Sequence, residues 1–155
     1  MNWKEHLSGI LDRILHIEPV YAHCDVPCGI YDPHGAQIAA KTVYTMDKKM
    51  NDLPLPTPGS SAQEQLQQRN TIVRMIATKE NHAEICKREL QILWSDYFKP
   101  EHLSMFPDLH DTFWKALKLC SFNKQNVDLA KAQELMDAVG KIAEMFQKAE
   151  AAKKK

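Results

Sequence analysis

Four segments of this 155-residue chain repeat their apolar residues at intervals of three and four, the spacing of one helix face. The first covers residues 36–53, and the second covers 72–97, with Lys79 interrupting its apolar face. The third and fourth cover 103–120 and 132–146. The chain has no alternating strand pattern and no Asn-Gly or Asp-Gly hairpin signal. Because short connections make neighbouring helices antiparallel, we predict an all-α, up-down four-helix bundle.

Prolines and capping residues mark the ends of these helices. The stretch PLPTPGSS, residues 54–61, contains three prolines and a glycine, so it separates the first two helices. Ser60 or Ser61 is the predicted N-cap of the second helix, because Glu64 follows at capping-box distance. Pro107 is expected in the first turn of the third helix, where its missing N–H costs nothing.

Composition excludes several functions. Twenty acidic residues balance twenty basic ones, so no net field attracts nucleic acid or an anionic membrane. No stretch approaches the roughly 20 apolar residues of a membrane span. Four cysteines are too few for a disulfide-stapled scaffold, and we interpret Cys86 and Cys120 as small core residues. The final AAKKK is expected to be a solvated tail.

The first 22 residues end in Val-Tyr-Ala, a small-residue pattern like a peptidase cleavage site. They are not a secretory signal, because polar and charged residues between positions 12 and 18 interrupt the apolar region. Their apolar spacing predicts a short amphipathic helix that ends before Pro19. Two interpretations stay open at this point: a helix retained in the mature protein, or a propeptide whose removal exposes His23.

Residues 23–31 read HCDVPCGIY and place His23, Cys24 and Cys28 within six residues of irregular backbone. A structural zinc site needs four ligands, and the chain lacks a second C-x-x-C or an H-x-x-x-H to complete one. Recruitment of His102 or His110 has no support in the spacing. A disulfide between Cys24 and Cys28 is sterically conceivable, although transient in a reducing cytosol.

Cleavage before His23 would change what this segment can bind. The freed amine of His23, the amide nitrogen of Cys24 and the thiolates of Cys24 and Cys28 then form a planar N2S2 set. The His23 imidazole is left to cap it axially. Square-planar nitrogen and sulfur donation points to Ni(II) or Cu(II) rather than to zinc.

The segment HCDVPCGIYDP resembles the N-terminal hook of the nickel superoxide dismutase family, whose mature chains begin H-C-x-x-P-C-G-x-Y. The stretch LWSDYFKPEHL, residues 93–103, is also similar to that family. The resemblance covers residues 23–150. It implies a propeptide (1–22), a nickel hook (23–33), a four-helix bundle (34–150) and a basic tail (151–155).

The resemblance further implies an enzyme that converts superoxide to dioxygen and hydrogen peroxide through a Ni(III)/Ni(II) cycle. One nickel ion per subunit would be bound by the His23 amine and imidazole, the Cys24 amide nitrogen and sulfur, and the Cys28 sulfur. A dedicated peptidase would cleave after Ala22. The mature protein would be a cytoplasmic homohexamer, with neither nucleic acid nor membrane as a partner.

Other residues are expected around the metal. Tyr31 should lie over the open axial face, and the family resemblance implies that Tyr97 supports it by hydrogen bonding. Asp25 and Pro27 lie in the segment that brings Cys28 back to the metal, and Pro27 is expected to pre-set that reversal.

The chain departs from the family at two positions near the axial imidazole. His82 stands where family members carry an arginine, and Ala39 stands where they carry a carboxylate. His82 could take over the contact that orients the imidazole.

Two rival functions follow from the same residues. One is a nickel- or copper-binding carrier that performs no turnover. The other is a zinc or thiol-redox element on a helical interaction module. Measurement of superoxide decay separates the first from the enzyme, and metal analysis with N-terminal sequencing separates the second.

Overall fold

The computed structural model describes residues 29–54 and 56–153, and within these ranges it contains helices and no strand. Between the second and third α-helices lie a π-helical turn, Leu93–Tyr97, and a 3-10 turn, Pro100–Ser104. The α-helices are α1 (His34–Asn51), α2 (Ala62–Ile92), α3 (Leu109–Gln125) and α4 (Leu129–Lys153). The predicted four-helix bundle is confirmed.

Each α-helix packs against two neighbours: α1 and α3 both contact α2 and α4. The predicted apolar faces supply the core. Its fully buried members include Val43 of α1, Leu90 of α2, Phe113 of α3 and Ile142 of α4. None of the helices in the described ranges is long and apolar enough to cross a bilayer.

The helix boundaries agree with the capping signals at α2 and differ at α3. Ser61 caps α2: its Oγ accepts a hydrogen bond from Glu64 N (3.3 Å), and Glu64 Oε2 accepts one from Ser61 N (2.8 Å). Pro107 lies before the α3 N-cap, Asp108, so its predicted place in the first turn is wrong. The chain first makes a separate turn, closed by Leu109 N donating to Phe106 O, which keeps Phe106 buried.

Both cysteines of the bundle are buried, as predicted. Cys86 on α2 and Cys120 on α3 belong to the core and are at most 1% exposed. A hydrogen bond with the Cys120 thiol, together with burial, raises the pKa of the Cys86 thiol. The Cys86 side chain is therefore not a ready source of thiolate.

Lys79, the polar interruption of the α2 apolar face, holds three elements together. Its ammonium lies 3.7 Å from Asp47 Oδ1 on α1, and both side chains are almost completely buried. It also donates to the carbonyl of Asn126 in the loop between α3 and α4. Asp47 Oδ2 accepts from Asp128 N in that loop (3.3 Å). Desolvation raises the pKa of Asp47, while the charge of Lys79 opposes that rise.

We predict that Lys79→Met lowers the free energy of unfolding by about 3–5 kcal/mol, because it leaves the Asp47 carboxylate buried without its cation. The loss should shrink as pH falls. The pKa of Asp47 is raised in the folded state above the unfolded value of about 3.9, so protonation of Asp47 at low pH favours the folded state. A protonated Asp47 carries no charge and no longer needs the missing cation. Denaturant unfolding at several pH values measures both effects.

Lys115→Met is the matched control, because Lys115 pairs with Asp111 at a position where both side chains are more than half exposed. Its unfolding free energy should change by less than about 1 kcal/mol. Equal losses in the two variants would contradict the role assigned to Lys79.

Candidate metal centre

The predicted metal ligands and their closest neighbours lie outside the described residues: His23, Cys24, Asp25, Pro27 and Cys28. In the ranges 29–54 and 56–153, no group of three or more His, Cys, Asp or Glu side chains is arranged to hold a metal ion. The described part of the bundle therefore offers no competing ligand cluster.

The described chain begins at Gly29, immediately after Cys28. Gly29 has φ +70°, a left-handed conformation that glycine adopts without strain. Asp32 Oδ1 then accepts a hydrogen bond from His34 N (2.7 Å), the first residue of α1. This Asp32 contact satisfies a free N–H at the helix start and links the end of the hook directly to α1.

Tyr31 lies in this link and packs against Tyr97 in the π-helical turn. The two ring centroids are 5.6 Å apart, with the planes at 63°, an edge-to-face contact. Tyr31 is half-buried and Tyr97 is only 4% exposed. The structure thus brings together the two tyrosines that sequence analysis placed near the metal, while their roles toward it stay a prediction.

The phenol of Tyr97 is held from α4. Its hydroxyl donates to Glu150 Oε1 (2.7 Å), and Lys153 Nζ lies 2.6 Å from the same carboxylate oxygen. Lys153 Nζ also lies 4.4 Å from the centroid of the Tyr97 ring, a cation–π distance. Burial, followed by the hydrogen bond and negative charge of Glu150, raises the pKa of the Tyr97 phenol.

The ring of Tyr97 is also enclosed by other aromatic groups. His102 is stacked almost parallel to it, with centroids 5.9 Å apart, and Phe146 lies at 4.4 Å. His102 is itself fixed, because its Nδ1 accepts a hydrogen bond from Lys99 N (3.0 Å). Tyr97 therefore offers Tyr31 a rigid surface.

His82 does not join this group. It lies about four helical turns before Tyr97, a separation of roughly 20 Å along the helix. Its Nδ1 lies 2.8 Å from Thr78 O of the same helix, and since a carbonyl oxygen only accepts, Nδ1 is the donor. Ala39, the other departure from the family, is buried in α1. The predicted contact of His82 with an axial imidazole stays a prediction.

Sequence reasoning did not single out Glu150 and Lys153. The final lysines were assigned to a solvated tail, yet α4 continues through Lys153. The available signal was the spacing: Glu150 and Lys153 are three residues apart and follow Phe146 on the same helix. The contact of Glu150 with Tyr97 spans 53 positions, so no local pattern shows it.

The profile of the family described as "Nickel-containing superoxide dismutase" matches residues 18–150. The chain belongs to this nickel superoxide dismutase family. The superoxide dismutase [Ni] of Streptomyces seoulensis is 38% identical over 127 residues, covering 82% of this chain and 87% of the relative. That of Streptomyces coelicolor is 39% identical over 129 residues, with the same coverage.

Solved nickel superoxide dismutase structures share the fold. The native structure has a TM-score of 0.71 and 34% identity, covering 83% of this chain and 99% of its own. An apo structure has a TM-score of 0.67 and 32% identity, covering 79% and 99%.

We predict that Tyr97→Phe removes the most alkaline step from the phenolate absorbance titration of the folded, metal-free protein, because Tyr97 is the phenol held protonated by burial and Glu150. The same change should also make the free energy of unfolding fall less steeply as pH rises into the alkaline range. A phenol with a raised folded-state pKa stabilises the fold below the unfolded value of about 10 and loses that contribution as pH rises.

Tyr44→Phe, which removes a half-buried phenol from α1, is the control for this titration. If the most alkaline step disappears in Tyr44→Phe and persists in Tyr97→Phe, the assignment to Tyr97 is wrong.

Proposed function

We propose that the chain forms its active site from residues 23–28, with nickel bound by His23, Cys24 and Cys28. Its activity is superoxide dismutation: two superoxide anions and two protons give dioxygen and hydrogen peroxide. The observation that carries the site assignment is the sequence HCDVPC, placed three residues before Tyr31. Tyr31 is anchored to the bundle through Tyr97.

The donor chemistry of this segment fits nickel. Two thiolates, an imidazole, an amine and a backbone nitrogen supply nitrogen and sulfur donors of the kind that suits a square-planar d8 ion. When bound, nickel supplies one-electron exchange with superoxide by alternating between Ni(III) and Ni(II).

The residues beyond the ligands orient the segment and supply protons. Gly29 and Asp32 fix the backbone in the last part of the hook, where it joins α1. Pro27 pre-sets the chain reversal that brings Cys28 back to the metal. Tyr31 restricts access to the site by size and keeps a hydroxyl nearby, a source of the protons that peroxide formation consumes. Tyr97 keeps Tyr31 in place from its enclosed position in the π-helical turn. Asp25, which lies between the two cysteines in the sequence, would be a neighbour of the ligands and not itself a ligand.

Two further features belong to the proposal. His82 would take over the contact to the His23 imidazole for which other family members use an arginine. The mature subunits assemble as a homohexamer in the cytoplasm, after a peptidase has removed residues 1–22.

The amine of His23 exists only after cleavage behind Ala22. We therefore predict that active protein begins at His23, and that protein still beginning at Met1 shows no superoxide decay above that of free nickel. Intact mass and N-terminal sequencing, paired with rapid-mixing measurement of superoxide, test this. Full activity in a chain that begins at Met1 would contradict the proposed ligand set.

Cys24→Ser and Cys28→Ser should each abolish nickel binding and superoxide decay while the helical circular dichroism stays unchanged, because the ligands lie outside the bundle. Cys120→Ala is the control, a cysteine of the core that is distant in sequence from the hook. It should keep its nickel and its rate. Tight nickel binding by the wild-type protein with no rate above that of free nickel would identify a carrier instead.

A further inference from the structure

We propose that Glu150, in the last turn of α4, is a positioning residue of the active site. Its carboxylate, held by Lys153, fixes the Tyr97 phenol on which Tyr31 packs. The inference rests on the proposed function, because the proposed function places Tyr31 beside the metal.

The first argument is the directness of the contacts. The Tyr97 hydroxyl and Glu150 Oε1 are 2.7 Å apart, a short distance typical of a hydrogen bond to a charged acceptor. Tyr97 is 4% exposed, so its hydroxyl depends on a protein partner. Because Tyr31 packs edge-to-face against this ring at 5.6 Å, a displaced Tyr97 ring would remove the surface that positions Tyr31.

The second argument is the electrostatic position of Glu150. Helix C-termini carry partial negative charge, so a carboxylate in the last turn is disfavoured unless it has partners. Here α4 ends at Lys153, and Glu150 obtains the Lys153 ammonium and the Tyr97 hydroxyl. Lys153 then lies over the Tyr97 ring, so the same two side chains hold both the hydroxyl and the face of the ring.

Together these contacts connect the two ends of the described chain. Glu150, in the last turn of α4, holds Tyr97 of the π-helical turn, and Tyr97 in turn packs against Tyr31 of the hook. Truncation of α4 should therefore affect the active site although α4 supplies no ligand.

The test compares Glu150→Ala, Glu150→Gln and a matched control, Glu144→Ala, which removes an exposed glutamate from the same helix. Processed, nickel-loaded protein is used for superoxide decay. In Glu150→Ala the rate should fall roughly three- to tenfold, as expected for the loss of one hydrogen bond that positions a side chain. Glu150→Gln keeps an acceptor and should recover most of that rate, whereas Glu144→Ala should equal the wild type.

A second readout uses metal-free protein. Among the described residues, the titratable groups in contact with Tyr97 are Tyr31, His102, Glu150 and Lys153, and Lys99 and Glu101 line the same cavity. Both Glu150 variants lack the negative charge that helps to hold the phenol proton, so the most alkaline phenolate step should move to lower pH.

A third readout is the double variant. Glu150→Ala should have no further effect on the rate in a Tyr97→Phe background, because its influence passes through the Tyr97 hydroxyl. The inference is overturned if Glu150→Ala keeps the wild-type rate, whether or not the phenolate step moves, or if the two losses are additive. Absence of superoxide decay in the loaded wild-type protein refutes the proposed function itself, and is measured without any variant.

Discussion

The hydrogen bond from Phe98 N to Leu93 O closes a turn one residue wider than a turn of α-helix, and the position of Tyr97 depends on it. Because the turn is wide, Tyr97 and Phe98 are both buried, just after the end of the 31-residue helix α2. Tyr31, His102 and Glu150 then reach Tyr97 from three other elements. The local backbone geometry thus creates the point at which Tyr31 packs against the bundle.

The bundle could be predicted from sequence because its determinants are local or periodic. The apolar spacing gave the four faces, and Ser61 with Glu64 gave the start of α2. Pro107 was misplaced because a separate turn at Phe106 precedes α3, and local propensity does not distinguish a first turn from the turn before it. Lys79 was visible only as an interruption, because its partner Asp47 lies on another helix.

The candidate site also combines features that can be predicted from the sequence with features that only the folded chain shows. The proposed ligands are concentrated in six residues, so their chemistry can be read from the sequence itself. The groups that support Tyr31 are distributed over the π-helical turn, the 3-10 turn and the end of α4, and only the folded chain brings them together. His82 shows the limit of a family comparison: its position matches that of the family arginine, while its Nδ1 hydrogen bonds to Thr78 O of its own helix.

The burial of Cys86 and Cys120 has a consequence for an enzyme whose product is a peroxide. Hydrogen peroxide oxidises thiolates first to sulfenic acid and then to states that cells seldom reverse. Both core cysteines are enclosed, and the raised pKa of the Cys86 thiol keeps it out of the reactive thiolate form. The scaffold can therefore contain cysteine thiols and still withstand repeated production of an oxidant by the same molecule.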